Sequence, residues 1–226
     1  MEIRPDVHWL EGRASNLYLC VEADGLTLID AGMPNEQKLV LAAVRALGRG
    51  LADLTRIIIT HADVDHAGSL AALHAATGAT VYAGMETADF LTRGATPRHM
   101  PGLIQFFVNR FVKYPPTPAA AIHPLAEGDE LPVLGGLRVL ATPGHTPEHF
   151  ALYSPGTGVL FAGDALNTRN GRLQRTPGFV TADAQAANRS AIRLLELAPA
   201  VFACGHGAPL RDHDAGDLMR LFGQLR

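Results

Sequence analysis

Short apolar runs alternate along this chain with segments of helical periodicity. "NLYLCVEA" (Asn16–Ala23) and "LTLID" (Leu26–Asp30) read as two strands, and the Asp24-Gly25 pair between them predicts a hairpin turn. "NEQKLVLAAVRALG" (Asn35–Gly48) spaces its apolar residues for one helix face and stops on glycine. "TRIIIT" (Thr55–Thr60) is the next strand. A polar cluster follows it, then a helix over Ser69–Ala76 and a strand at "ATVYA" (Ala79–Ala83). Strand and helix in alternation predict a layered α/β arrangement.

The rhythm breaks over residues 85–130. There prolines fence an aromatic, helix-like segment, Leu103–Val112, that carries Phe106, Phe107 and Phe111. An aromatic stripe at helical spacing ordinarily packs onto its own domain. Its interruption of the alternation favours a cap inserted between two halves that covers a cleft or mediates homodimer formation. Strands resume at Leu137–Thr142, Phe150–Pro155 and Gly158–Gly163, followed by a helix over Ala184–Leu197, a strand over Ala200–Gly205 and a last helix from Asp212. The expected organisation is one domain over 1–226, built of two βα halves, with 85–130 as the cap.

Composition narrows the partners. The 226 residues are 47% hydrophobic, enough for a real core, and the net charge of −3 with scattered basic residues predicts no nucleic-acid groove. Every apolar stretch is too short and interrupted to span a bilayer, so no membrane partner is expected. "MEIRPDVHWLEG" lacks the basic-then-apolar order of a signal peptide. Cys20 and Cys204 make no disulfide framework and read as reduced thiols of a cytoplasmic protein.

The chemistry gathers where strands end. "TLIDAG" at Asp30, "IIITHADVDHAG" from His61 to His66, "LATPGHTPEH" at His145, "VLFAGDAL" at Asp164 and "VFACGHGAP" at His206 each place Asp or His beside glycine just after an apolar run. Strand ends on one edge of an α/β fold are where ligands converge. His61, Asp63, Asp65, His66, His145, Asp164 and His206 supply nitrogen and oxygen donors for two divalent ions, with one carboxylate bridging. Carboxylate with imidazole suits Zn, Mn or Fe, and the lack of clustered thiolates argues against a structural zinc knuckle. His8, His74, His99, His123 and His213 have no such context and read as ordinary histidines.

"THADVDHAGS", "TPGHTPEH", "FAGDA" and "GHGAP", in this order, resemble the motifs of the metallo-β-lactamase-fold hydrolases over nearly the whole chain. The resemblance implies an αββα four-layer sandwich with a dinuclear metal site. It implies His61, Asp63 and His145 on the first ion, Asp65, His66 and His206 on the second, and Asp164 between them. Asp30 reads either as a cap before Pro34 or as the aspartate that supports the family's ligands from behind. His149 falls outside the ligand pattern and reads as packing or as such a supporting residue.

One position departs from the pattern: Asp63 stands where the family has histidine. A third carboxylate makes the site less positive, which predicts weaker Lewis acidity and a tilt toward Mn or Fe. The chemistry implied is attack of a metal-bridged hydroxide on the carbonyl of a small ester, thioester or lactone, with Asp65 or a water protonating the leaving group. Among family branches, a glutathione thioesterase is disfavoured by the short stretch after His206, and an acyl-homoserine lactonase by the lack of tyrosine in "GDALNTRNGR". The alternative from another class is a mononuclear iron, persulfide dioxygenase-like enzyme on His61, His145 and Asp164.

Overall fold

The apolar runs at 17–20 and 57–59 are too continuous for strands wetted on one face, and the structure buries them on both, along with 26–29, where Thr27 is also buried. The computed structural model describes residues 1–211 and 215–225. The chain folds into two compact units, one formed by Met1–Pro97 with Phe106–Ala126, the other by Arg98–Gln105 with the chain from Glu127 onward.

The first unit is built on one sheet, whose strands lie in chain order: β1 (Glu2–Arg4), β2 (Val7–Glu11), β3 (Asn16–Glu22), β4 (Gly25–Ile29), β5 (Leu54–Ile59), β6 (Thr80–Gly84) and β7 (Ile122–Leu125). Antiparallel pairing through β4 gives way to parallel pairing from β4 to β7. The β3–β4 turn is Ala23-Asp24, one residue before the expected pair, because Gly25 already pairs with Glu22. Helices α1 (Gln37–Ala46), α2 (Val64–Ala67), α3 (Leu70–Thr77) and α4 (Met85–Arg93) join these strands. Val40 and Val44 of α1, Leu70 and Leu73 of α3 and Leu91 of α4 pack with Leu17, Leu19, Leu26, Leu28, Ile57 and Ile59 into one core. Period-2 alternation sends Tyr18, Cys20 and Ile58 to the opposite face, where they are also buried.

α5 (Gly102–Phe111) corresponds to the predicted aromatic helix; its first four residues belong to the second unit and the rest to the first. Of the remainder of 85–130, α4 and β7 are integral to the first unit, β7 pairing with β6.

The second unit carries β8 (Glu130–Leu131), β9 (Leu137–Ala141), β10 (Phe150–Ser154), β11 (Val159–Gly163), a small ribbon of β12 (Leu166–Asn167) with β13 (Gln174–Arg175), then α6 (Ala184–Glu196), β14 (Val201–Cys204) and α7 (Ala215–Leu225). The main sheet has the order β14-β11-β10-β9-β8, and only β11 and β14 in it run parallel. Leu194 and Leu195 of α6 and Leu221 and Leu225 of α7 cover it against Leu160, Phe202 and Cys204. The expected start of the last helix at Asp212, and His213, lie outside the described residues. No helix among the described residues is long and apolar enough to cross a membrane.

Candidate metal centre

In the first unit the donors follow β5. The backbone leaves the strand at Thr60, and Asp63 becomes the N-terminal flanking residue of α2 without capping it by its side chain. An aspartate there ordinarily accepts from the helix N–H groups. Here its Oδ2 instead lies 3.6 Å from His61 Nε2. Asp65 Oδ2 lies 3.9 Å from His66 Nε2, and the His61 and His66 rings are 4.2 Å apart. His61, Asp63 and His66 are buried, whereas the Asp65 side chain stays 21% exposed.

Asp30 fixes which nitrogens of these imidazoles carry protons. It sits at the end of β4 with φ 59°, a left-handed conformation that aspartate tolerates better than most residues. Its Oδ1 accepts from the Thr60 amide at 2.9 Å, and its Oδ2 accepts from His66 Nδ1 at 2.8 Å. The Thr60 hydroxyl donates to the same carboxylate and accepts from His61 Nδ1 at 3.0 Å. Both histidines therefore keep a proton on Nδ1, the tautomer in which a neutral ring offers its Nε2 lone pair to a metal. Asp30 thus orients the imidazole of His66 directly and that of His61 through Thr60.

Two further contacts hold the loop. Gly68 is helical, so its role is space rather than turning: a Cβ there would stand 2.4 Å from both Pro34 Cδ and the Val64 carbonyl. The buried Tyr114, which sequence reading passed over, shares its hydroxyl proton between the carbonyls of Ala62 and Ala95, each at 3.0 Å.

In the second unit the donors follow β9, β11 and β14. The loop after β9 is closed by the Thr142 amide donating to the His149 carbonyl at 2.8 Å. It is tied to the segment before α6, where the amides of Ala182 and Asp183 donate to the carbonyls of His145 and Gly144, both at 3.0 Å. Gly144, at φ 145°, passes so near Ala187 that a Cβ would fall 2.3 Å from its backbone. His145 donates from Nδ1 to the Val180 carbonyl at 2.6 Å, leaving Nε2 unprotonated. Asp164 Oδ2 stands 3.6 Å from that Nε2 and 3.1 Å from His206 Nε2.

His149 is fully buried behind Asp164. Its Nε2 accepts from the Asp164 amide at 2.9 Å, so its proton is on Nδ1, which donates to Thr142 Oγ1 at 2.7 Å. It thus positions the Asp164 backbone, with Thr176 Oγ1 donating to the Asp164 carbonyl from another side. His99, read from sequence as ordinary, is buried with its ring 4.7 Å from that of His145, and one ligand nitrogen of each lies within 4.8 Å of the other. Phe106, Phe107 and Phe111 have a different setting: they are 63, 52 and 68% exposed on α5, with Phe107 stacked on Phe111 at 6.1 Å.

The donor chemistry fits divalent ions. A tetrahedral ion bound at about 2.0–2.1 Å holds its ligand atoms about 3.4 Å apart. The four Nε2-to-carboxylate separations run from 3.1 to 3.9 Å. Three of these imidazoles have Nδ1 engaged in a hydrogen bond, the usual arrangement behind a metal-bound Nε2. Cys204, on β14 near this set, contributes no thiolate: burial, and then the nearby Asp164, push its pKa up.

A family model described as the metallo-beta-lactamase superfamily matches residues 10–206. The chain is 29% identical to "Probable metallo-hydrolase YflN" of Bacillus subtilis (strain 168), over 99% of this chain and 92% of that protein. It is 32% identical to a "Hydroxyacylglutathione hydrolase" of Fuscovulum blasticum, over 81% of this chain and 58% of that one. A crystal structure of a metallo-beta-lactamase family protein from Thermus thermophilus is similar with a TM-score of 0.74 and 25% identity, over 99% of this chain and 79% of that chain.

Proposed function

The chain belongs to the metallo-beta-lactamase superfamily, and from that premise we propose that it is a hydrolase of small esters, thioesters or lactones that works with two divalent ions. Its fold is the α/β fold of that superfamily, as the motifs imply. The carrying observation is the carboxylate of Asp164, one oxygen of which faces two histidine Nε2 atoms at 3.6 and 3.1 Å. That disposition supports a bridging role for Asp164. In this reading His61, Asp63 and His145 serve one ion and Asp65, His66 and His206 the other; Zn is the leading ion overall, and the Asp63 carboxylate makes the first site more accepting of Mn or Fe than a histidine there would.

Bound there, divalent ions acidify a water and polarise an acyl carbonyl. The protein's own residues do the rest. Asp30, through Thr60 and directly, holds the Nε2 lone pairs of His61 and His66 ready. His149 and Thr176 hold the Asp164 backbone, so the point from which its carboxylate projects is fixed. Asp65, more open than the neighbouring Asp63 (side chains 21 and 8% exposed), is suited to protonate the leaving group. The thioester within the proposed class draws support from the hydroxyacylglutathione hydrolase similarity. We assign Phe106, Phe107 and Phe111 to the acyl portion of the substrate, since three exposed aromatic rings on one short helix make an apolar wall.

The test is a panel of thioester, lactone, carboxylester, phosphodiester and β-lactam substrates assayed with Zn and Mn, alongside metal analysis. Two ions per chain, with carbonyl ester turnover abolished in Asp164→Ala, are expected. Replacing the three phenylalanines with serine is expected to raise KM for long acyl groups and leave kcat for the shortest. One iron per chain with no hydrolysis of any panel member would overturn the proposal in favour of an oxidative enzyme.

A further inference from the structure

We propose that His99 is an additional metal ligand, serving the ion assigned to His145; the inference rests on the two-ion reading above. Substitution of histidine by Asp63 removes one neutral nitrogen donor from the expected set. The second unit carries a buried imidazole that its motifs do not account for, and it lies against the imidazole of His145. The ring centroids are 4.7 Å apart, the planes are inclined by 54°, and one ligand nitrogen from each falls within 4.8 Å of the other.

The position of His99 is built. The side-chain oxygen of Gln105, itself buried, accepts from the amides of both His99 and Met100, at 2.9 and 3.0 Å. Gln105 is held in turn as part of the first turn of α5, its amide donating to the Pro101 carbonyl at 2.9 Å. Pro97 and Pro101 restrict the backbone on either side. A side chain meant only to fill space needs no such clamp, and an aliphatic residue would fill it at lower desolvation cost. A donor held to a fixed place does need one.

His99 would restore the nitrogen count without restoring charge. The carboxylate of Asp63 and the neutral imidazole of His99 together add one ligand to the usual three and leave the site less positive than the usual pattern. Asp63 and His99 are then one substitution in two parts, and each should be tolerated best in the presence of the other.

The experiment compares wild type, His99→Ala, His99→Gln, Asp63→His and the double variant Asp63→His/His99→Ala as holoproteins. Zn retained per chain is measured against a graded chelator, and the visible d–d bands are recorded after Co(II) substitution. Expected is a loss of at least tenfold in affinity at one of two sites in both His99 variants, no smaller than the loss from removing a partner behind a ligand. Altered Co(II) bands should accompany it, and affinity should recover in the double variant. His99→Gln guards against misfolding, with the melting of the chelated protein as the control. His99 variants that keep both ions at wild-type affinity with unchanged Co(II) bands overturn the assignment while leaving the two-ion reading intact. A wild type that takes up no metal overturns the two-ion reading, and the assignment with it.

Discussion

Replacing Asp30 with asparagine exchanges one carboxylate oxygen for an NH2 and sets His66 against Thr60. Three donors converge on the carboxylate: the Thr60 amide, the Thr60 hydroxyl and His66 Nδ1. An amide offers one oxygen and one NH2 to that ring of donors. If the NH2 faces His66, the imidazole must accept at Nδ1 and move its proton to Nε2, the atom needed unprotonated for a metal. If the oxygen faces His66 instead, the NH2 confronts the Thr60 amide and leaves a buried N–H unpaired, at a cost of about 1–3 kcal/mol. That cost converts to roughly 5- to 150-fold in an equilibrium constant. In the first orientation the affinity at the ion proposed for His66 should fall about 10- to 100-fold, as expected when the partner behind a ligand imidazole is lost; in the second the tautomer survives and the cost falls on the fold. Competition with a fluorescent chelator reads the affinity, and a thermal melt of the chelated protein separates the two orientations. Only the second orientation destabilises the metal-free fold. Affinity within twofold of wild type, with an unchanged melt, would refute the role given to Asp30.

Two other outcomes follow from groups away from the donors. Burial pushes the thiols of Cys20 on β3 and Cys204 on β14 far up, so an aromatic disulfide reagent at pH 8 should label neither in the native protein and both after denaturation; rapid native labelling would contradict this. Asp183 accepts from the Ala186 and Gln185 amides at the start of α6, which hold its carboxyl below the usual aspartate range. Because the folded value is the lower one, its contribution is complete above the unfolded pKa of about 3.9 and is lost as pH falls through the folded value. The Tm of Asp183→Ala should therefore lie below wild type at neutral pH, with the gap closing in acid; a gap that widens in acid would reverse the sign.

The central strands were legible because burial on both faces writes an unbroken apolar run. The elements that escaped notice are those whose residues answer to other demands. β7 carries Pro124, which a strand tolerates only because β7 is the edge of its sheet. β1 and β2 lie in a short, charged stretch with an irregular register. α4 is amphipathic and ends on Gly94 in the left-handed conformation, a stop signal that the surrounding prolines obscured. The motif histidines and aspartates stood out through their common setting, each just after a strand and beside glycine. His99 follows no strand and stands between prolines, and its nearness to His145 comes from packing across 46 positions of sequence. Tyr114, bonded to the Ala62 carbonyl 52 residues away, was invisible for the same reason.

β11 and β14 run parallel, with Gly163 opposite Cys204, so Asp164 and His206 step off the same end of one ladder. The Gly205 amide, donating to the Gly163 carbonyl at 2.8 Å, carries the pairing one residue past the strand. Folding of the sheet has already met the entropy of holding these two side chains together, and no ion is needed to draw them in. A zinc finger collapses when stripped of its metal; this chain should be emptied by a chelator without melting, and refilled by whichever suitable ion is then in supply. The polypeptide would outlast any ions it holds, and its metal content at any moment would record which ions had most recently surrounded it.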